Sequence, residues 1–277
     1  MRNEKLHTAV IMAAGMGTRF GTMTEERPKG FIEAGGKPMV VRSIETLISC
    51  GIDHIIIGTG YLREAYEQLA AEIGTDASQR YIGADASQRQ IVGDTPKPCK
   101  VDCCFSPRYA DTNSMYTLWN CRDIIGDSDF LLLESDLVFE RRAITALIDC
   151  PKPDVMLITP VTKFQDQYYV ACDDNGTLTN CSTDKSQLET DPSGSVVKGE
   201  LVGIHKLSSE FYHKMCADYA TKVADLPKLG YEYELLYMSQ HISPVHVLCE
   251  DGLKWYEIDD IDDLRYAEEN IIPQMSN

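Results

Sequence analysis

Ala13-Ala14-Gly15-Met16-Gly17-Thr18-Arg19, followed by Pro28-Lys29 and then Gly36-Lys37-Pro38, is the stretch on which the fold turns. It comes directly after the apolar run Thr8–Ala13, so it reads as a strand entering a glycine loop. Glycines at such a place let the backbone approach a phosphate chain and aim N–H groups at its oxygens. Arg19 and Lys29 would add positive charge on the same polyanion. Glycine after a strand is also ordinary turn chemistry, so the loop alone leaves nucleotide binding open. The chain has no GxxxxGK[ST] and no third glycine in dinucleotide register, which sets this loop apart from the two commonest nucleotide motifs.

Working outward, short apolar runs alternate with amphipathic stretches through about the first 160 residues, the pattern of a mostly parallel sheet with helices on both faces. Periodicity predicts strands at Thr8–Ala13, His54–Gly58, Val101–Phe105, Phe130–Ser135 and Val155–Thr159. It predicts helices near Pro38–Ser49, Arg63–Ile73, Ser114–Ile125 and Arg141–Ile148, with Pro38 suited to a helix start. After Pro160 the pattern changes. Tyr168–Cys172 and Leu178–Cys181 flank Asp173-Asp174-Asn175-Gly176, strong hairpin chemistry, so an antiparallel insertion is expected there. A strand at Gly199–His205, helices at Ser208–Ala220 and Tyr233–Gln240, strands at Val245–Leu248 and Trp255–Ile258 and a closing helix from Ile261 to Asn270 complete the reading. Residues 75–100 are polar, carry Asp-Ala-Ser-Gln-Arg twice (76–80 and 85–89), and read as a solvated excursion. The whole chain, 1–277, is read as one unit: about 1–160 for nucleotide, 161–250 for a second substrate, 251–277 for closure.

Composition narrows the function. Of 277 residues, 43% are hydrophobic, enough for a full α/β core. A net charge of −17 with no basic run removes the counterion-release term that drives nucleic-acid binding. No apolar run approaches the roughly 18 residues of a membrane span, and the start of the chain goes straight into a strand, so we expect a cytoplasmic protein. Ten scattered cysteines read as reduced thiols. Cys99, Cys103 and Cys104 make a poor metal set, because adjacent Cys103 and Cys104 would face opposite sides of a strand.

Two further runs carry carboxylates. Leu131-Leu132-Leu133-Glu134-Ser135-Asp136 is an apolar strand ending in acid, at the edge where open α/β sheets bind ligands. A strand-end Asp is equally at home as a helix cap. Glu257-Ile258-Asp259-Asp260, with Asp262 and Asp263 following, repeats the pattern near the C-terminus, where acids in a first helical turn face the helix dipole. No triad and no HExxH motif is present.

Taken together, the strand, A-A-G-x-G-[TS]-R and P-K resemble the nucleotidyltransferase superfamily of MobA-like, sugar-phosphate and bacterial phosphocholine cytidylyltransferase enzymes. The resemblance extends to Ile56-Ile57-Gly58-Thr59-Gly60-Tyr61, Asn113-Ser114-Met115-Tyr116-Thr117-Leu118 and the late E-I-D-x-x-x-D-L pattern. It implies the nucleotide-diphospho-sugar transferase fold and a Mg2+-dependent reaction with CTP. It implies that CTP meets Ala13, Ala14, Gly15, Gly17, Thr18, Arg19, Lys29, Gly60 and Ser114, that Lys29, Arg19 and Asp136 act in catalysis, and that Asp136 and Asp259 hold the metal, with Asp260 the nearest alternative. Ser114 has a second reading as a helix cap.

The second substrate is expected to be a small phosphonate or phosphate amino compound. A quaternary ammonium calls for an aromatic cage and a primary ammonium for carboxylates. Tyr231, Glu232 and Glu234 offer both sorts, Glu200 precedes a strand turn, and Lys163 and Lys185 are either cations for the phosphonate or solvated surface lysines. Leu131–Leu137 and Gly199–Ile204 resemble the 2-aminoethylphosphonate cytidylyltransferases more than the phosphocholine enzymes. Tyr116 and Trp119 read as core. A sugar-phosphate nucleotidyltransferase and a non-catalytic nucleotide sensor are the alternatives, and a homodimer is left open.

Overall fold

The computed structural model describes residues 6–75, 99–162, 168–184, 186, 188 and 196–275. At its centre lies β1 (Leu6–Ala13), with β4 (His54–Thr59) on one side and β6 (Asp129–Glu134) on the other, both parallel to it. β5 (Lys100–Phe105) extends the parallel part beyond β4. Alternation explains why β1 is buried on both faces. Ala9, Ile11 and Ala13 enter one core cluster and Val10 the other. Burial of Val10 and Ile11 contributes about 1.5–3 kcal/mol each, and truncating Ile11 to alanine costs about 2–5.

Helices cover both faces, as their spacing requires. α1 (Met39–Ser49) buries Met39, Val40, Ile44 and Leu47, and α2 (Arg63–Thr75) and α5 (Arg142–Asp149) pack on the same side. On the other face lie α3 (Ser114–Asn120), α4 (Arg122–Ile125), α6 (Ser209–Lys222) and α7 (Tyr231–His241). Cys103 and Cys104 pack into opposite clusters, and the cysteines are free thiols.

Beyond β6 the sheet turns antiparallel. β11 (Val196–Leu207) runs antiparallel to β6 and separates it from β8 (Val155–Thr159), which pairs with β11 and, in parallel, with β12 (His246–Cys249). β9 (Tyr169–Cys172) and β10 (Leu178–Ser182) join the other end of β11, giving nine strands in one sheet. The antiparallel insertion is therefore a continuation of the main sheet. Its hairpin forms as its residues require, with Asp173 Oδ1 accepting from the N–H groups of Asn175 and Thr177 at 2.9 and 2.8 Å.

Smaller departures have local causes. Lys37–Pro38 forms β3 of a two-strand hairpin with β2 (Glu33–Ala34), so α1 starts at Met39. The expected helix at 114–125 is two pieces broken at Cys121. α7 starts at Tyr231, two residues before the expected boundary. β7 (Leu137–Phe139) and β13 (Trp255–Glu257) make a second small sheet, and α8 (Ile261–Tyr266) continues as a π-helical turn, Ala267–Ile271. No described helix is long and apolar enough to cross a membrane.

Candidate active site

A cleft of about 460 Å³ opens at the carboxyl ends of β1 and β6, where an open α/β sheet holds its ligands. The glycine loop forms one wall. Gly17 has φ 62°, a left-handed conformation that disfavours side chains, and a Cβ there would lie 3.0 Å from that of Lys29. The chain then turns through a 3-10 segment, Thr18–Thr24, which the Thr24 hydroxyl ties back by donating to the Gly17 carbonyl at 3.0 Å. A second 3-10 turn, capped by Pro28, begins at Lys29 and delivers its side chain to the cleft floor.

The floor is a closed charge cluster. Lys29 Nζ donates to Asp136 Oδ2 at 2.5 Å and to Asp259 Oδ1 at 2.6 Å, and Arg19 Nη2 donates to the same Asp259 oxygen at 2.6 Å. Burial works against the Lys29 ammonium, yet the Asp136 and Asp259 carboxylates outweigh it and hold its pKa above the ordinary lysine value. The two aspartates, far apart in sequence, meet because β7 pairs with β13 in a register that sets Leu137 opposite Glu257, and Ile258 N–H donates to the Asp136 carbonyl at 2.9 Å. Tyr66 on α2 closes the other side: its buried hydroxyl lies against Gly30, where a Cβ would come within 2.8 Å of it, beside the segment that carries Lys29.

Glu134, Asp136 and Glu257 each turn a carboxylate oxygen to one point, all within 4.8 Å of one another. Asp136 Oδ1 is buried and accepts from no described residue. An all-oxygen set with an open lone pair fits a hard divalent cation. Asp259, expected as the partner ligand, joins Asp136 through the Lys29 ammonium, whereas Glu134 and Glu257 stand beside Asp136 directly. The signal was in the two runs: i and i+2 on a strand face the same side, so each Glu-x-Asp offers two acids. Asp260 is engaged elsewhere, since its Oδ1 caps α8 by accepting from Asp262 and Asp263 N–H.

The opposite wall comes from β11 and α7. Tyr231 is fully buried and donates its hydroxyl to Glu134 Oε1 at 2.6 Å. Burial, then the neighbouring Glu257, Asp136 and Glu232, push the Glu134 carboxyl well above the usual range. Burial likewise raises the Glu232 carboxyl to about 7. Behind Tyr231 sits His205, fully buried, its ring 5.3 Å from the Tyr231 ring and neither nitrogen hydrogen-bonded. Burial depresses its pKa to about 3.

Of the expected site residues, Ala14, Gly15, Gly17, Thr18, Arg19, Lys29, Ser114, Asp136, Tyr231, Glu232 and Asp259 line this one cleft. Ala13 is buried in the core behind it. Gly60 stands behind the loop, where a Cβ would come within 2.6 Å of both the Ala14 carbonyl and Tyr109, so it permits the loop's close approach and touches no cleft space. Ser114 is not a cap of its own helix: Asn113 takes that place, and Ser114 Oγ accepts from Tyr231 N–H at 3.0 Å, binding α3 to α7. Glu200 and Glu234 do not reach the cleft. Glu200 is fully buried in β11 and accepts from the Thr162 hydroxyl at 2.5 Å, and Glu234 pairs with Lys222 at 2.9 Å. Both lie on the wrong side of their elements, a consequence of strand alternation and of α7 starting early. Lys163 and Lys185 lie outside the described residues, as does most of the 75–100 excursion. Tyr116 and Trp119 pack in the core as expected. Tyr66, Tyr109, Thr112 and Tyr168 also line the cleft and carry no sequence motif that marks them, and Thr117 joins them from the Asn113–Leu118 run.

The geometry has counterparts. The chain is 25% identical over 269 residues, 96% of its length, to the CMP-5'-(3-aminopropyl)phosphonate synthase of Streptomyces rubellomurinus, and 27% identical over 136 residues, 49% of its length, to the 2-aminoethylphosphonate cytidylyltransferase of Lancefieldella rimae. The matches span 39% and 45% of those relatives' own lengths. In fold it is similar to the CTP:phosphocholine cytidylyltransferase of Streptococcus pneumoniae, with a TM-score of 0.70, 20% identity, and 97% and 99% of the two chains covered. A family model described as the MobA-like NTP transferase domain matches residues 9–173, and the chain belongs to that family.

Proposed function

We propose that the chain is a magnesium-dependent cytidylyltransferase that converts CTP and 2-aminoethylphosphonate to CMP-2-aminoethylphosphonate and diphosphate. The observation that carries it is the meeting, in one cleft, of a glycine loop with Lys29 and Arg19, a carboxylate set around Asp136, and a wall holding Glu232 and Tyr231. Mg2+, when bound by these carboxylates, would neutralise phosphate oxygens as charge builds on them. The chain's own part is alignment and charge. A phosphonate oxygen, already anionic near neutral pH, attacks the α-phosphorus; the new P–O bond forms as the bond to the β-phosphate bridging oxygen breaks, and diphosphate leaves with the electron pair. No general base is needed, which suits a cleft without a histidine.

The base and the amino group follow from donors and acceptors. The Ser114 hydroxyl accepts from Tyr231 N–H, which leaves its own O–H to donate. Cytosine N3 accepts such a bond and uracil N3 does not, which favours CTP. Glu232 supplies a carboxyl suited to a primary ammonium, and the two aminophosphonate relatives support the same class of acceptor. Diphosphate release with Mg2+ and CTP, comparing 2-aminoethylphosphonate, phosphocholine and phosphoethanolamine, with UTP as control, tests the reading. Fast release with the phosphonate supports it; preference for phosphocholine would shift the acceptor role to Tyr168 and Tyr231, and no release with any acceptor would sink it.

A further inference from the structure

Lys29 and Arg19 are the two cations the sequence places on the triphosphate, yet both donate to the carboxylates of Asp136 and Asp259. Two cations and two anions close on themselves at the cleft floor. Lys29 is the tighter member: only 12% of its side chain is exposed, against 58% for Arg19. We propose that these side chains are exchangeable counter-ions, released from the aspartates to the nucleotide phosphates only when a divalent cation takes the carboxylates, so that metal and nucleotide are accepted as a unit. This rests on the function proposed above.

The physics is that of uncompensated charge. A divalent cation arriving alone at Glu134, Asp136 and Glu257 sets its charge against the Lys29 ammonium held on the other oxygen of Asp136, and that ammonium then has no free anion to move to. A nucleotide arriving alone must draw Lys29 away and leave Asp136 without its cation, and drawing Arg19 as well unpairs Asp259 too. Either half-exchange strands charge in a low-dielectric cleft, and the joint exchange strands none. Each ligand therefore raises the affinity for the other, a coupling that is reciprocal by linkage.

The test is direct binding of Mn2+, read by electron paramagnetic resonance, with and without CTP and with no acceptor present. Wild type should bind Mn2+ weakly alone and, with CTP, more tightly than CTP binds it without the protein. Lys29→Met should bind Mn2+ alone more tightly than wild type, by about tenfold or more, because two carboxylates lose their internal cation, and it should add less than wild type does to the Mn2+ binding of CTP itself. Arg19→Gln, an exposed substitution that leaves the core untouched, should move Mn2+ affinity the same way by a smaller factor, and decides the matter if Lys29→Met does not fold. Mn2+ affinity unchanged or weakened in these variants would overturn the exchange. Because the metal-only titration needs neither turnover nor acceptor, it reads out even if the diphosphate assay is negative.

Discussion

The two ends of the cleft are built on opposite electrostatic plans. At the phosphate end, charges are paired: Lys29 and Arg19 lie against Asp136 and Asp259. At the end proposed for the acceptor, Glu134 and Glu232 crowd together and are both raised above the usual carboxylate range, with Tyr231 donating to Glu134. A paired site can wait for a polyanion and its metal without strain. A crowded set of acids is relieved by an incoming cation. On the function proposed above, the difference assigns the phosphates to the loop and the ammonium to the end near α7.

The largest effect should come from the paired end. Asp136→Ala removes the carboxylate that both the metal set and Lys29 share, and turnover should fall by on the order of 10³-fold or more while thermal melting still shows a cooperative fold. Diphosphate release near the wild-type rate would break the assignment of that end. Next, Glu232→Gln should separate the ends: KM for the amino acceptor should rise about tenfold, through loss of a charge-assisted hydrogen bond, with KM for CTP unchanged. A rise in KM for CTP instead would place the nucleotide, not the ammonium, against α7.

The same two ends differ in how far sequence reveals them. The phosphate end is legible because a backbone-built cradle needs contiguous residues: Gly15 to Arg19 and Lys29 stand where a strand-loop reading puts them, and β1, β4, β5 and β6 have clean boundaries. The acceptor end depends on strand order. Local periodicity finds β8 and β11 yet says nothing about β11 lying between β6 and β8, and that neighbour choice decides which face Glu200 presents. Likewise, starting α7 two residues early leaves Tyr231 and Glu232 in the cleft and carries Glu234 to Lys222. That Asp260 caps α8 while Asp259 faces the cleft shows only in the structure. Tyr66 has no motif at all, because its role is a contact made from behind, against Gly30.

Smaller effects probe the support of the crowded end. Tyr231→Phe keeps the ring and deletes the bond to Glu134, so kcat/KM for the acceptor should drop about two- to fivefold, the worth of one such hydrogen bond. No change in any kinetic constant would mean that Glu134 is held without it.

His205 makes the last comparison, through stability instead of rate. Its folded pKa of about 3 lies below its ordinary 6.5, so below pH 6.5 the unfolded chain takes up a proton that the folded chain refuses until about 3. Its contribution is thus present above pH 6.5 and is lost as pH falls toward 3. His205→Leu removes the titrating ring and two unsatisfied nitrogens at similar volume, and the variant's melting temperature should fall less than that of wild type on going from about pH 7.5 to about pH 4.5, by a few degrees. Glu232 and Glu234, raised to about 7, titrate in the opposite sense, and both proteins share them, so the difference between the two curves isolates His205. Parallel curves would mean that the imidazole finds a partner for its proton on acidification, and that the wall behind Tyr231 is less closed than the geometry requires.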